Sequence, residues 1–139
     1  MADSLHNPNR LNFALVIGQA DHLRGSIIAL LREHGWLAHG VSRAEQAFGI
    51  LPHIPDNLIV LGPGLAGLGA VDFVRILRNS RQWQTIHLVV INNAESTDWE
   101  NRVTDSGALL ARRSMWQDDL CGFLVSDKWD SGMREGAGT

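Results

Sequence analysis

The sequence predicts a doubly wound α/β sandwich, a parallel sheet with helices on both faces. Three observations lead there. Short apolar runs rich in β-branched residues alternate along the chain with segments of helical period. The runs lack polar alternation, so each must be covered on both faces, as in parallel sheets linked by right-handed crossovers. Finally, 139 residues, 45% of them hydrophobic, suffice for one core and are too few for two domains of ordinary size.

The elements follow in chain order. Leu11 to Ile17, bounded by Asn and Gly, reads as a buried strand. Asp21 is expected to cap a helix that carries Leu23, Ile27, Leu30 and Leu31 on one face and ends at Gly35. Trp36 to Val41 is a weaker strand. Ser42 and Glu45 have the spacing of a capping box for a helix that must stop before Pro52. Leu58 to Leu61 is the third strand, and Val71, Phe73, Val74 and Leu77 give the next helix through about Arg78. Ile86 to Ile91 is the fourth strand. Ser96 can cap a short helix with Trp99 and Val103 on one face, which Gly107 ends. Ala108 to Ala111 is a short fifth strand, and Trp116, Leu120, Phe123 and Leu124 form the last apolar stripe, making five βα units. Residues 1–10 are expected to be flexible, 11–125 to form the domain, and the polar, Gly-rich 126–139 to be disordered or partly docked through Trp129.

Composition excludes several partners. A net charge of −3 with scattered Lys and Arg offers no basic stripe for nucleic acid or an anionic membrane. No apolar run approaches the roughly 18 residues of a transmembrane helix, and the N-terminus lacks the apolar middle of a signal peptide. The single cysteine, Cys121, has no internal disulfide partner. A cytoplasmic protein is expected.

The stretch NLIVLGPGLAGLG, Asn57 to Gly69, contains G-x-G-x-x-G at Gly62, Gly64 and Gly67. A dinucleotide fingerprint uses such glycines to bring backbone N–H groups and a helix N-terminus to a pyrophosphate. It also needs an acidic residue about 20 positions on, for the ribose. Here the next strand ends in Asn92-Asn93, and the motif follows the third strand rather than the first.

From Ile17 to Trp36, IGQADHLRGSIIALLREHGW resembles the first strand and helix of response-regulator receiver domains, the CheY-like family, including the helix-closing Gly35-Trp36. The resemblance continues through PDNLIVLGPGLAGLGAVDFVRILR, with Ala66-Gly67 where Pro-Gly is usual, to the Gly107-Ala108 that introduces the fifth strand, and covers about residues 11 to 125. It implies a five-stranded sheet in the flavodoxin-like order 2-1-3-4-5. Receivers transfer a phosphoryl group to an aspartate at the end of the third strand, with Mg²⁺ held by that carboxylate and an acidic pair on the first. Such a hard cation needs anionic oxygen ligands.

The chain departs from that pattern at each position. The acidic pair falls on Gly18 and Gln19, and the acceptor on Gly62, or on Leu61 if the register slips by one. The Ser or Thr ending the fourth strand maps to Asn92 or Asn93, the switch aromatic to Leu110 or Ala111, and the Lys-Pro to Arg113-Ser114 or Ser114-Met115. Asp21 is expected past the strand as a helix cap, and Asp56 at the opposite end of the sheet. The resemblance thus implies a degenerate pseudo-receiver without metal, cofactor or phosphoryl chemistry.

No other catalytic constellation emerges. His6, His22, His34, His39, His53 and His87 lack metal-ligand spacing and are read as surface or packed histidines. Cys121 lies within an apolar stripe and is read as inert. What remains is a surface. Receivers commonly pair through the fourth helix, fifth strand and fifth helix, here within residues 96–125, and these carry Trp99, Arg102, Arg112, Arg113 and Trp116, types enriched at interface hot spots. The i,i+4 pairs Trp99–Val103 and Trp116–Leu120 serve core packing equally well, so Arg112 and Arg113 are the best-placed contacts. The sequence therefore predicts an adaptor or regulator, with no output domain in these residues, acting on a protein partner such as a signalling protein or kinase, or on a second copy of itself. The rival expectation is a small-ligand or nucleotide module using Gly62, Gly64, Gly67 and Gly69.

Overall fold

A computed structural model describes residues 12–65, 67–92 and 97–125. Strands β1 (Phe13–Ile17), β2 (Leu37–Val41), β3 (Leu58–Leu61), β4 (His87–Ile91) and β5 (Leu109–Ala111) alternate with helices α1 (Asp21–Glu33), α2 (Ala44–Ile50), α3 (Ala70–Arg78), α4 (Thr97–Asp105) and α5 (Trp116–Val125). The sheet is parallel throughout, in the order β2-β1-β3-β4-β5. Fold class and strand order are as expected. The N-terminal segment, the tail with Trp129, and Leu11, Ala66, Asn93 and the Ser96 cap lie outside the described residues.

The apolar runs are explained by two separate cores. Leu15, Ile17, Ile59, Leu61, Leu88 and Val90 face Phe73, Val74 and Leu77 of α3 and Val103 of α4, with α2 beside them. Their neighbours Ala14, Val16, Leu58, Val60, Val89 and Ile91 face Ile27 and Leu31 of α1 and Leu120 and Leu124 of α5. Alternate residues of a strand point to opposite faces, so two buried faces demand a continuous apolar run. Each fully buried Leu, Ile, Val or Phe contributes about 1.5–3 kcal/mol.

Local signals set the helix ends, with two corrections. At the end of α1, Gly35 has φ +87°, its N–H donates to the Arg32 carbonyl, and the Trp36 N–H donates to the Leu31 carbonyl, each at 3.0 Å. This closure requires a left-handed residue and joins the Trp36 side chain to Leu31 in the core. Asp21 does not cap this helix. The cap position is Ala20, and the Asp21 carboxylate accepts instead from Arg24 at 2.7 Å. Nor do Ser42 and Glu45 form the capping box. The extended cap residue is Arg43, which makes Gln46 the third helical residue; its Oε1 accepts from the Ser42 and Arg43 N–H groups at 3.0 and 2.9 Å. A shift of one residue freed Glu45 for a longer-range contact. Trp36, Ile86 and Ala108 are buried just before their strands begin rather than within them.

Side chains also tie the amino ends of the strands. Arg78, at the end of α3, donates to the carbonyls of Gln84, Ile86 and Ser106 at 2.8–2.9 Å. It thereby anchors the segments entering β4 and β5, while burial pushes its pKa down. On the edge strand β2, Arg32 covers the Ala38 carbonyl at 2.9 Å, which leaves less of that edge open to a foreign strand. His39 Nε2 lies 2.8 Å from the Asp56 carboxyl just before β3, so this histidine has a specific partner. Asp56 is only 7% exposed and its second oxygen has no partner among the described residues.

Burial raises the pKa of Asp56 more than the His39 hydrogen bond lowers it. The contribution of a raised carboxyl is greatest below its unfolded value of about 3.9 and is lost as pH rises through the folded value. Asp56→Asn, which keeps a hydrogen-bonding amide beside His39, should therefore stabilise the protein at pH 7 by about 1 kcal/mol and by less at pH 4. Urea denaturation at the two pH values measures the difference.

Candidate functional site

The carboxyl ends of the strands converge on one edge of the sheet, where open α/β folds usually place their ligands. Gly18 and Gly62 follow the last residues of β1 and β3. The Gly62 N–H donates to the Ile17 carbonyl at 2.7 Å, the Gly18 N–H to the Val41 carbonyl at 3.0 Å, and the Asn92 N–H to the Ala111 carbonyl at 2.7 Å. The ladder thus runs one residue past each strand and brings Gly18, Gly62 and Asn92 to the same edge. Gln19 is exposed beyond Gly18, and Arg113 is exposed in the 3-10 turn Arg113–Met115 after β5. Leu61, the alternative position for the acceptor, is fully buried in the core.

A paired cation and carboxylate stand beside Gly18. Arg24, on the first turn of α1, donates to the Gly18 carbonyl at 2.6 Å and to Asp21 at 2.7 Å. Its stem runs over two glycines: a Cβ at Gly18 would lie 3.5 Å from Arg24 Cβ, and one at Gly40 would fall 3.1 Å from Arg24 Cδ and 2.8 Å from Ile28 Cδ1. A side chain at Gly40 would push these flexible ends aside, whereas one at Gly18 would meet Arg24 at ordinary contact distance. Arg24 carried no signal in the sequence, because nothing in a helical pattern says where a guanidinium turns.

Beside Gly62 lies a cleft of about 390 Å³ between the glycine loop and α4, lined by Gly62, Gly64, Gly69, Asp72, Asp98, Trp99 and Arg102. Its carboxylates come from helices and are engaged: Asp72 with Arg75 at 2.7 Å and Asp98 with Arg102 at 3.1 Å. Asn92 Nδ2 donates to Glu100 at 2.7 Å. Among the described residues no three His, Cys, Asp or Glu side chains are grouped to hold a metal ion.

The four loop glycines differ. Gly64 and Gly67 have φ +70° and +72°, a region costly for other residues. A Cβ at Gly67 would also fall 2.6 Å from Glu45 Oε2, which accepts from the Leu68 N–H at 3.3 Å. Hydrogen bonds from its own backbone N–H and that of Leu68 lower the Glu45 pKa. Glu45 thus latches α2 to the loop, a contact 23 residues apart in sequence. Gly62 is not in the left-handed region, and its nearest non-neighbour atom to a built Cβ is the Ile17 oxygen at 3.4 Å. Neither space nor backbone conformation demands glycine there.

The five candidate contact residues do not form one patch. Trp99 is half-buried against the core of α2, α3 and α4, while Trp116 packs on the opposite face against that of α1 and α5. Arg112 holds Asp119 through its backbone N–H at 2.8 Å and its guanidinium at 3.0 and 2.7 Å. The Arg112 side chain keeps the Asp119 pKa down at about 2. Arg102 and Arg113 are exposed, and beside them Met115 is 40% exposed.

Comparison with solved structures supports the fold. The chain is similar to a CheY-like receiver domain protein from Methanospirillum hungatei JF-1 (TM-score 0.77, 14% identity, 91% of this chain and 99% of that one). It is also similar to the chemotaxis response regulator CheY4 of Vibrio cholerae (0.73, 13%, 83% and 97%). A third likeness is to the receiver domain of a sensor histidine kinase from Pseudomonas aeruginosa PAO1, solved with a magnesium ion coordinated in its active-site cleft (0.71, 19%, 86% and 98%). No protein-family model matches the sequence, and no curated protein does. The chain therefore has the CheY-like receiver fold of two-component signalling proteins. No helix among the described residues is long and apolar enough to cross a membrane.

Two outcomes follow for stability. Gly67→Ala should cost about 1–2 kcal/mol, from left-handed strain and displacement of Glu45, whereas Gly62→Ala should stay within about 0.5 kcal/mol of the parent; urea denaturation separates them. The Arg112–Asp119 pair has a depressed carboxyl, so its contribution is present above about pH 4 and lost as pH falls towards about 2. Arg112 is largely exposed, so solvent screening keeps that contribution small. Asp119→Asn should accordingly lower stability at pH 7 and lower it by less at pH 2.5, read from thermal melts.

Proposed function

We propose that the protein is a pseudo-receiver: a receiver-fold module of a bacterial, cytoplasmic two-component-type pathway that binds a protein partner without being phosphorylated and without a cofactor or enzymatic activity of its own. The observation that carries this reading is the pairing of Gly18 and Gly62 at the strand ends with the Arg24 guanidinium bonded to the Gly18 carbonyl. A divalent cation would meet neutral glycines and a fixed positive charge in the place of anionic oxygens, and without it the acceptor position has no side chain to modify. An equilibrium shifts only under something that binds its states differently, so any switching is set by a partner rather than by phosphate.

The partner surface favoured is the α4–β5–α5 region, where Arg102, Arg113 and Met115 are exposed. A signalling protein such as a kinase, or a second copy of the chain, would seat there, with the half-buried Trp99 and Trp116 stiffening the helices behind it. The second reading, a small ligand in the cleft beside Gly62, Gly64 and Gly69, is favoured only by that cleft's volume. Its walls carry the carboxylates Asp72 and Asp98, which oppose a nucleotide's phosphates.

Incubation with acetyl phosphate and Mg²⁺ followed by intact-mass analysis should show no phosphoryl adduct, on the parent or on Gly62→Asp, which restores the acceptor without the acidic pair. Stoichiometric addition to the parent would refute the proposal. In the same preparation, saturable thermal stabilisation by ATP or NAD would favour the second reading.

A further inference from the structure

At the opposite, amino edge of the sheet lies a second concavity, an open groove of about 730 Å³ walled mainly by apolar side chains. Phe13, Trp36, Leu37, Ala38 and Ile54 are among its lining residues. Leu37 is 49% exposed, whereas Trp36 is 2% exposed. The Trp36 indole Nε1, a buried donor, has no acceptor among the described residues. At the rim stands Arg32, whose one hydrogen bond among the described residues goes to the Ala38 carbonyl. His39 and His53 complete the polar lining. No carboxylate is among the groove's lining residues, and Asp56, bonded to the lining His39, is buried.

Volume, apolar walls and a few placed polar groups are the features of a small-molecule site rather than of a flat protein contact. The charge decides the class of ligand. The rim presents a guanidinium that lacks a carboxylate partner among the described residues, and Asp56 is buried and bonded to His39. We propose that this groove binds a small amphipathic carboxylate, its apolar body along Leu37 and Ile54 and its carboxylate at Arg32. The site lies across the sheet from the glycine loop, so it is independent of the phosphoryl question.

Octanoate is the probe, with octanol and octylammonium as its uncharged and cationic counterparts, titrated into the full chain and followed by calorimetry and by backbone amide shifts. Octanoate should saturate one site with a Kd of about 1 mM or tighter, given its ten heavy atoms. The shifts should centre on Leu37, Ala38, His39 and Ile54. Octanol should bind about fivefold more weakly, the worth of one partly exposed charge pair, and octylammonium more weakly still. Arg32→Gln should reduce octanoate to the octanol level, and Leu37→Asp, a change at an exposed position, should abolish binding while the melting temperature stays near that of the parent. The proposal is overturned by equal binding of the three amphiphiles, by shifts centred on the Gly62 cleft, by no saturation, or by concentration-dependent shifts at Leu37 with a doubled scattering mass, which would mean that a second copy covers the groove.

Discussion

The structure depends on burying three central strand runs on both faces at once. Ala14 to Ile17, Leu58 to Leu61 and Leu88 to Ile91 are almost wholly inaccessible, and a side chain on either face enters one of two packed cores. No polar side chain can occupy such a position without an unpaired cost of a few kcal/mol. Chemistry is thereby expelled to the strand ends, and the parallel registers gather those ends into just two edges. The two sites of interest in this molecule are those edges, and they differ in sign and in texture.

At the carboxyl edge the glycines differ in what the geometry demands of them. A Cβ at Gly40 would displace only flexible side-chain ends of Ile28 and Arg24. Gly67 is compelled by its left-handed backbone and by Glu45. Gly62 and Gly18 are compelled by neither. The edge could accommodate side chains at both positions, and the Arg24 guanidinium beside Gly18 is paired with Asp21.

The fold was legible because its signals are local or periodic. Gly35-Trp36 closes a helix through bonds spanning only five residues, and continuous apolar runs require two covered faces whatever the details. Strand starts drifted by one residue where a buried side chain, Trp36, Ile86 or Ala108, precedes the strand. The site was only half legible. The positions of Gly18, Gly62 and Asn92 follow from strand ends, which sequence locates well. Arg24, Arg78, Glu45 and the His39–Asp56 pair were not legible, because each long side chain chooses a partner from another element, and helical period records which face a residue occupies but not how far it reaches. The capping box failed for a narrower reason: Arg43 takes the extended cap conformation, moving the acceptor role from Glu45 to Gln46 and releasing Glu45 to the loop.

The two edges are held in much the same way. The carboxyl edge is crossed by polar contacts between elements: Arg24 to Gly18, Glu45 to Leu68, Asn92 to Glu100 and Arg112 to Asp119. Such an edge resists rearrangement, because several bonds must break together before a loop moves. The amino edge is tied as well, by Arg78 to the Gln84, Ile86 and Ser106 carbonyls, by Arg32 to Ala38, by His39 to Asp56 and by the Phe13 N–H to Asn57. Its weak point is single: the second Asp56 oxygen is buried without a partner among the described residues. An unmatched buried oxygen is relieved rather than penalised by a small displacement, so at that edge a local shift costs least at the entry to β3.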